Sequence, residues 1–227
     1  MKNILTASLM LLVMTMSVMA QEKFCIAKDG NTAAIVVDEQ DWKGVARAAN
    51  DLGDDVRKVC GTACSVVSAM STDKPNIVVG TIGKSSIINK FIKQKKLDVN
   101  KVKGQWESFV IDVVDGNLVV AGSDKRGTIY GIYEISQRIG VSPWYWWADV
   151  PVRHQDEVYW VDGRFVQPSP KVKYRGIFIN DEWPSFGEWA TEHFGGLKDV
   201  RSHVRTVVAS ESQLSVACHV GYSLQRG

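Results

Sequence analysis

The chain has 227 residues, 27 Lys and Arg against 25 Asp and Glu, a net charge of +2, and 45% hydrophobic residues with 19 Gly. No excess of either sign steers a polyanion, which excludes a disordered acidic tail, a collagen-like repeat and a polybasic nucleic-acid binder. An ordinary globular class is left, with length enough for one well-filled domain and part of a second.

Met1-Lys2-Asn3 gives a short positive start, residues 4–18 form an apolar run rich in Leu and Met, and Val18-Met19-Ala20 closes it with small residues at the outer positions. This is the pattern of a secretory signal cleaved after Ala20, which predicts a periplasmic or secreted protein with no membrane partner after cleavage. The run is shorter than the ~20 apolar residues that span a bilayer. The residue directly after the cleavage point is Gln21 and not Cys, so a lipid anchor is not expected.

In the mature chain, residues 32–38 (TAAIVVD) read as a buried strand, β-branched and bounded by Gly30-Asn31 and Glu39. A helix follows, because Val45, Ala49, Leu52, Val56 and Val59 recur at steps of four and three, with Asp41 as its predicted cap and Gly61 as its stop. Residues 65–70 and 76–79 read as short strands and residues 85–95 as a helix. Residues 107–114 and 117–121 are apolar runs joined at Asp115-Gly116, a pair that favours a tight hairpin. Residues 128–139 form a helix with Ile129, Ile132, Tyr133, Ile135 and Ile139 on one face, ended by Gly140. Strands alternating with amphipathic helices predict an α/β layered domain.

Gly80-Thr81-Ile82-Gly83-Lys84-Ser85 follows a strand and opens a helix, but a phosphate loop needs four residues between its glycines and the required first position is Val78. These glycines are read as a strand-to-helix turn. Trp144-Tyr145-Trp146-Trp147 lies on a loop between Gly140 and Pro151, where the aromatics either stack on sugar rings or wedge two domains together. Consecutive residues point in different directions and make no single flat platform, which favours the wedge. Cys25, Cys60, Cys64 and Cys218 are too few for a disulfide scaffold, and a spacing of four between Cys60 and Cys64 fits neither a redox motif nor a zinc pair, so buried thiols or one optional bridge are expected. His154 and His193 offer almost no basis for a histidine metal site.

Near Val161 the texture changes. Asp162-Gly163 is a turn, and Pro168-Ser169-Pro170 is a stiff segment of the kind that separates domains. Residues 171–179 (KVKYRGIFI) then read as a strand opening a new domain. Asn180, Asp181 and Glu182 follow directly, either as substrate contacts at the C-terminal end of a barrel strand or as a solvated loop or helix cap. Adjacent residues project oppositely, so Asp181 and Glu182 cannot by themselves be the facing acid and base of a glycosidase, whose carboxyls lie ~5–9.5 Å apart.

The runs GSDKRGTIYGIYE (122–134), SPWYWWADVPV (142–152) and YRGIFINDE (174–182) resemble the amino-terminal part of glycoside hydrolase family 115, the exported bacterial α-glucuronidases that act on xylan. The resemblance covers about residues 30–198. It implies an α/β domain of the kind that precedes glycosidase barrels, and then the first strand of a (β/α)₈ catalytic barrel. It also implies release of glucuronic or 4-O-methyl-glucuronic acid side groups from xylan or glucuronoxylan oligosaccharides, by inverting hydrolysis with no cofactor, and it places Asp181 at the catalytic face, with Asn180 and Glu182 beside it as further candidate substrate contacts. After Lys198 the sequence departs from the family. Reading the second and third bases of each codon with the first base of the next, codon choices exist that turn residues 199–227 into MYVHMFELLLRLKVNYLWPAMWGIAFNE, which looks like the family's own continuation.

The expected organisation is therefore a signal peptide (1–20), an α/β domain (21–168), the start of a catalytic barrel (169–198) and an out-of-frame tail (199–227). The catalytic acid and base are expected beyond Gly227, which leaves the chain inactive as it stands. A stand-alone secreted carbohydrate-binding or interaction protein, using the aromatic loop, is the alternative.

Overall fold

The computed structural model describes residues 23–145 and 149–175. The order is β1 (Phe24–Lys28), β2 (Asn31–Thr32), β3 (Ala34–Val37), α1 (Lys43–Cys60), β4 (Val66–Val67), β5 (Asn76–Thr81), α2 (Ser86–Lys93), β6 (Phe109–Val114), β7 (Asn117–Gly122), α3 (Lys125–Arg138), β8 (Glu157–Trp160) and β9 (Phe165–Gln167). Six strands form one sheet in the order β4-β3-β5-β7-β6-β9, and β2-β1-β8 form a second sheet of three. In the larger sheet β4, β3, β5 and β7 run parallel, while β6 is antiparallel to both β7 and β9.

Alternation within the strands sorts their side chains onto two faces. Ile35, Val37, Ile77, Val79, Phe109, Ile111, Leu118 and Val120 pack with α1, α3 and the small sheet, whose Phe24, Ile26, Val158 and Trp160 belong to the same core. Val36, Val78, Val110, Val119 and Ala121 face the other way and pack with Ile88 and Phe91 of α2 and with Leu97, Val99 and Val102. Helices thus cover both faces of the large sheet, which is the layered α/β domain expected.

The Asp115-Gly116 hairpin forms as predicted: both residues have positive φ (50° and 73°), and β6 pairs with β7 from Phe109–Gly122 to Val114–Asn117. Gly61 ends α1 in the left-handed conformation, its N–H donating to the Arg57 carbonyl. Four expectations need correction. Residues 32–38 are not one strand: Asn31–Thr32 pairs with β1, and Ala34–Val37 joins the large sheet, the switch falling at Ala33. Asp41 does not cap α1; Trp42 holds that position without a side-chain bond, because the Asp41 carboxylate is drawn to Thr81. The strand expected over 65–70 is ordered only at Val66–Val67. Of the strand expected over 171–179, the described residues 171–175 form no strand, Arg175 being held by Glu107, and 176–179 lie outside the described residues.

The motif GSDKRGTIYG explains how α3 reaches the sheet. A Cβ added at Gly122 meets the Thr128 nitrogen at 2.1 Å, one at Gly127 meets the Ser108 carbonyl oxygen at 2.3 Å, and one at Gly131 meets Val120 Cγ1 at 2.6 Å. These glycines let the helix backbone lie directly on β6 and β7. Asp124 caps α3, its carboxylate accepting from the Gly127 N–H at 2.7 Å.

Candidate functional site: a closed sheet crevice and a docked strap

In an open α/β sheet the ligand crevice lies outside the carboxyl ends of neighbouring strands whose connections leave in opposite directions. Here those strands are β3, leading through α1 to β4, and β5, leading through α2 toward the β6–β7 hairpin. Two carboxylates fill the crevice. Asp38 accepts from the Gln40 N–H at 2.9 Å, from the Ser86 N–H at 2.7 Å and from the Ser86 hydroxyl. Asp41 accepts from the Trp42 N–H at 2.7 Å, the Thr81 N–H at 2.6 Å and the Thr81 hydroxyl at 2.8 Å. The α2 N-terminus, where a phosphate would sit, is thus occupied by the chain's own anion. Gly80 is needed for packing, because a Cβ there meets Ser85 Cβ at 2.6 Å. The strand-to-helix turn read from the sequence is what these residues build.

Burial pushes the Asp38 carboxyl up, but the bonds from the Ser86 side chain and from the Gln40, Ser86 and Ile87 amides together hold it below the usual carboxylate range. A depressed folded-state value stabilises the protein above the ordinary carboxylate pKa and ceases to do so as pH falls through the folded value. Asp38→Asn should therefore lower the urea midpoint at pH 6, and the difference from the parent should shrink as pH drops below about 3.9. Equal differences at both ends of a urea titration series would show that the ionised carboxylate is not what holds α2.

The predicted residues Asn180, Asp181 and Glu182 lie outside the described residues, as do the signal run, Trp146, Trp147 and the tail from 199. What is described is the segment that leads toward them. The Ser169 hydroxyl donates to the Trp106 carbonyl at 2.6 Å. The Arg175 guanidinium pairs with the Glu107 carboxylate, donates to the Val172 carbonyl at 2.5 Å and stands 5.8 Å from the Trp106 ring. Glu107 is 6% exposed and has φ +51°. Its second oxygen meets Arg126 Nε at 3.1 Å, and its N–H donates to Asp124, the cap of α3, at 2.8 Å. One joint thus gathers the QWE loop, the SDKRG helix start and the YRG run. The sequence reading passed over it, since nothing local links Glu107 to Arg175.

Trp144 is half exposed, and the Lys58 ammonium stands 5.0 Å from the Tyr145 ring centre. Cys25, Cys60 and Cys64 are free thiols. Burial, with Cys60 beside it, pushes the Cys64 thiol up to about 12. Among the described residues no group of three His, Cys, Asp or Glu could hold a metal ion, and no helix is long and apolar enough to cross a membrane.

Comparison with known proteins sets this geometry in a family. The profile of glycosyl hydrolase family 67 N-terminus matches residues 20–135, more than half of the chain, and that of glycosyl hydrolase family 115 matches residues 167–209. The solved structure of BtGH115A, a family 115 4-O-methyl-α-glucuronidase with specificity for decorated arabinogalactans, superposes with a TM-score of 0.65 at 36% identity over 75% of this chain. The chain belongs to glycosyl hydrolase family 115, and its α/β domain to the family 67 N-terminus. This family 115 chain spans 22% of BtGH115A. A mutant Streptomyces plicatus β-hexosaminidase aligns at 14% identity over 67% of this chain and 24% of that one, with a TM-score of 0.43. A β-N-acetylhexosaminidase from Streptomyces coelicolor A3(2) aligns at 12% identity over 67% and 24%, with a TM-score of 0.42. No curated protein matches the chain.

Proposed function

We propose that the gene encodes an exported α-glucuronidase that releases glucuronic or 4-O-methyl-glucuronic acid side groups from a glucuronidated polysaccharide, and that this chain is its amino-terminal part. The observation that carries the proposal is the likeness to BtGH115A, 36% identical over three quarters of the chain. Export is supported by the leader-like pattern of residues 1–20, which ends at Ala20 as the proposed cleavage point. Xylan is the proposed substrate, and the specificity of BtGH115A makes decorated arabinogalactan the comparison arm.

In this reading the α/β domain ends near residue 168, residues 169–198 begin the catalytic barrel, and residues 199–227 are out-of-frame translation. A (β/α)₈ barrel closes only with eight strands to fill its interior, so the 227-residue chain hydrolyses nothing by itself. Asp181, with Asn180 and Glu182 beside it, is the proposed sugar-binding strand end of the complete enzyme.

The test begins with resequencing around the codon for Lys198, then expression of the gene with its frame restored. Uronic acid release is measured from glucuronoxylan and from decorated arabinogalactan. Release by the frame-restored enzyme and none by the 227-residue chain is the expected result. Retention of polysaccharide by the short chain, with no hydrolysis by either protein, overturns it in favour of a binding protein.

A further inference from the structure

We infer that Glu107 and Arg175 are a positioning pair. The buried Glu107 carboxylate holds the Arg175 guanidinium, and so sets where and in which direction the chain leaves the α/β domain toward Asn180, Asp181 and Glu182. The inference rests on the glucuronidase reading for the role of those three residues, but not for the clamp itself.

Four observations lead to it. The Glu107 side chain keeps only 8% of its exposure, and a carboxylate withdrawn from water needs cations and donors in its place. Of its two partners, Arg126 remains 54% exposed and is also engaged by the Tyr130 hydroxyl at 2.8 Å, whereas Arg175 is 15% exposed. The pair with Arg175 is therefore the water-excluded one, and losing it leaves the buried carboxylate with only the exposed Arg126 as a cationic partner.

The second observation is the cost of placing Arg175 there. Its Nε is buried with no hydrogen-bond partner, although a side chain this long reaches solvent easily when nothing holds it. The third is the backbone of Glu107, a residue with a Cβ held at φ +51° by its N–H bond to Asp124. Left-handed backbone at such a residue persists only where its surroundings over-determine it, and it concentrates at places with a task. The fourth is that one loop pins the strap twice. Trp106 accepts from Ser169, and Glu107 takes Arg175, while residues 171–174 between the two points are exposed. Two fixed points define a direction as well as a place.

Arg175 stands five residues before Asn180. A chain that advances at most ~3.6 Å per residue makes this a short lever. Freedom at Arg175 therefore becomes misplacement at the proposed sugar contacts, and a misplacement of about 1 Å is enough to slow a positioned reaction.

Two measurements decide the matter. In the 227-residue chain, brief trypsin treatment with mass analysis of the first products compares cutting after Arg175 with cutting after exposed Lys171. The parent should be cut after Lys171 at least about tenfold faster. Glu107→Gln should raise cutting after Arg175 about tenfold and leave Lys171 within about twofold. Equal cutting at the two bonds in the parent overturns the clamp whatever the enzyme does.

In the frame-restored enzyme, Glu107→Gln should lower kcat about tenfold with KM within about twofold. Glu107→Asp, which keeps a carboxylate facing Arg126 and Arg175, should recover part of the loss, and the active-site-titrated kcat of Glu107→Gln should stay low, which a defect that only lowers the folded fraction would not produce. Unchanged kcat in Glu107→Gln, with the parent active, overturns the positioning role. An inactive parent instead overturns the glucuronidase reading, while the trypsin result still judges the clamp.

Discussion

Gly122→Ala should destabilise the α/β domain by about 3 kcal/mol, lowering the thermal midpoint by roughly 6–12 °C. The added Cβ would stand 2.1 Å from the Thr128 nitrogen, 2.3 Å from its hydroxyl oxygen and 2.5 Å from its Cα. Backbone cannot turn aside as the tip of a flexible side chain can, so the first turn of α3 has to lift off β7. That lift strains the Asp124 cap and the 2.9 Å contact between the Thr128 and Thr81 hydroxyls, and it loosens Tyr130, Ile132, Tyr133 and Ile135 in the core. Gly44→Ala supplies the control. The nearest atom to its Cβ is Ile129 Cδ1 at 3.4 Å, Gly44 lies in α1, and Ala is favoured over Gly in a helix by roughly 0.5–1 kcal/mol. Thermal unfolding followed by circular dichroism should therefore move down for Gly122→Ala and stay level or rise for Gly44→Ala. A Gly122→Ala midpoint equal to the parent's would mean that α3 does not lie this close to the sheet in solution.

Asp181→Ala in the frame-restored enzyme should lower kcat/KM for uronic acid release by one to two orders of magnitude. In the proposed enzyme a carboxylate at that position would repel the uronate carboxyl, so its task would be to accept hydrogen bonds from sugar hydroxyls and fix the ring. Such charge-assisted bonds contribute about 1.5–3 kcal/mol each, and the loss is read directly as a ratio of kcat/KM. Glu182, which strand alternation would point the other way if residues 180–182 continue a strand, should matter less to turnover. Were Glu182→Ala inactive and Asp181→Ala unaffected, the facing of the strand would be off by one residue. If neither change altered the rate, this strand end would be scaffold.

The elements legible in the sequence are those whose signal is local. The Asp115-Gly116 turn, the stripe from Val45 to Val59 and the glycine stop at Gly61 each depend on residues within a few positions of one another, and each formed as read. The α3 helix was read from residue 128, whereas it begins at Lys125. The hydrophobic pattern starts late there, because the first turn is set by the Asp124 cap and by glycines that face the sheet. Strands β1, β8 and β9 went unread. Each has only three to five residues, and β1 and β8 owe their existence to a pairing between Phe24 and Trp160, ends of the domain far apart in sequence.

Composition, periodicity and turn chemistry by themselves determined the layered α/β class and the helices and hairpin at its centre, while the resemblance of three motif runs pointed to the family to which the chain belongs. They also determined that Gly80 and Gly83 make no phosphate cradle, since spacing alone forbids it. Only the tertiary structure decided what those residues do instead. Asp41 reads locally as a helix cap and serves Thr81, forty residues away, because a carboxylate at the end of β3 lies beside the end of β5. Glu107 reads locally as the start of a strand, and it becomes the buried receptor of Arg175 because folding excludes water from its carboxylate and leaves two guanidiniums to take water's place.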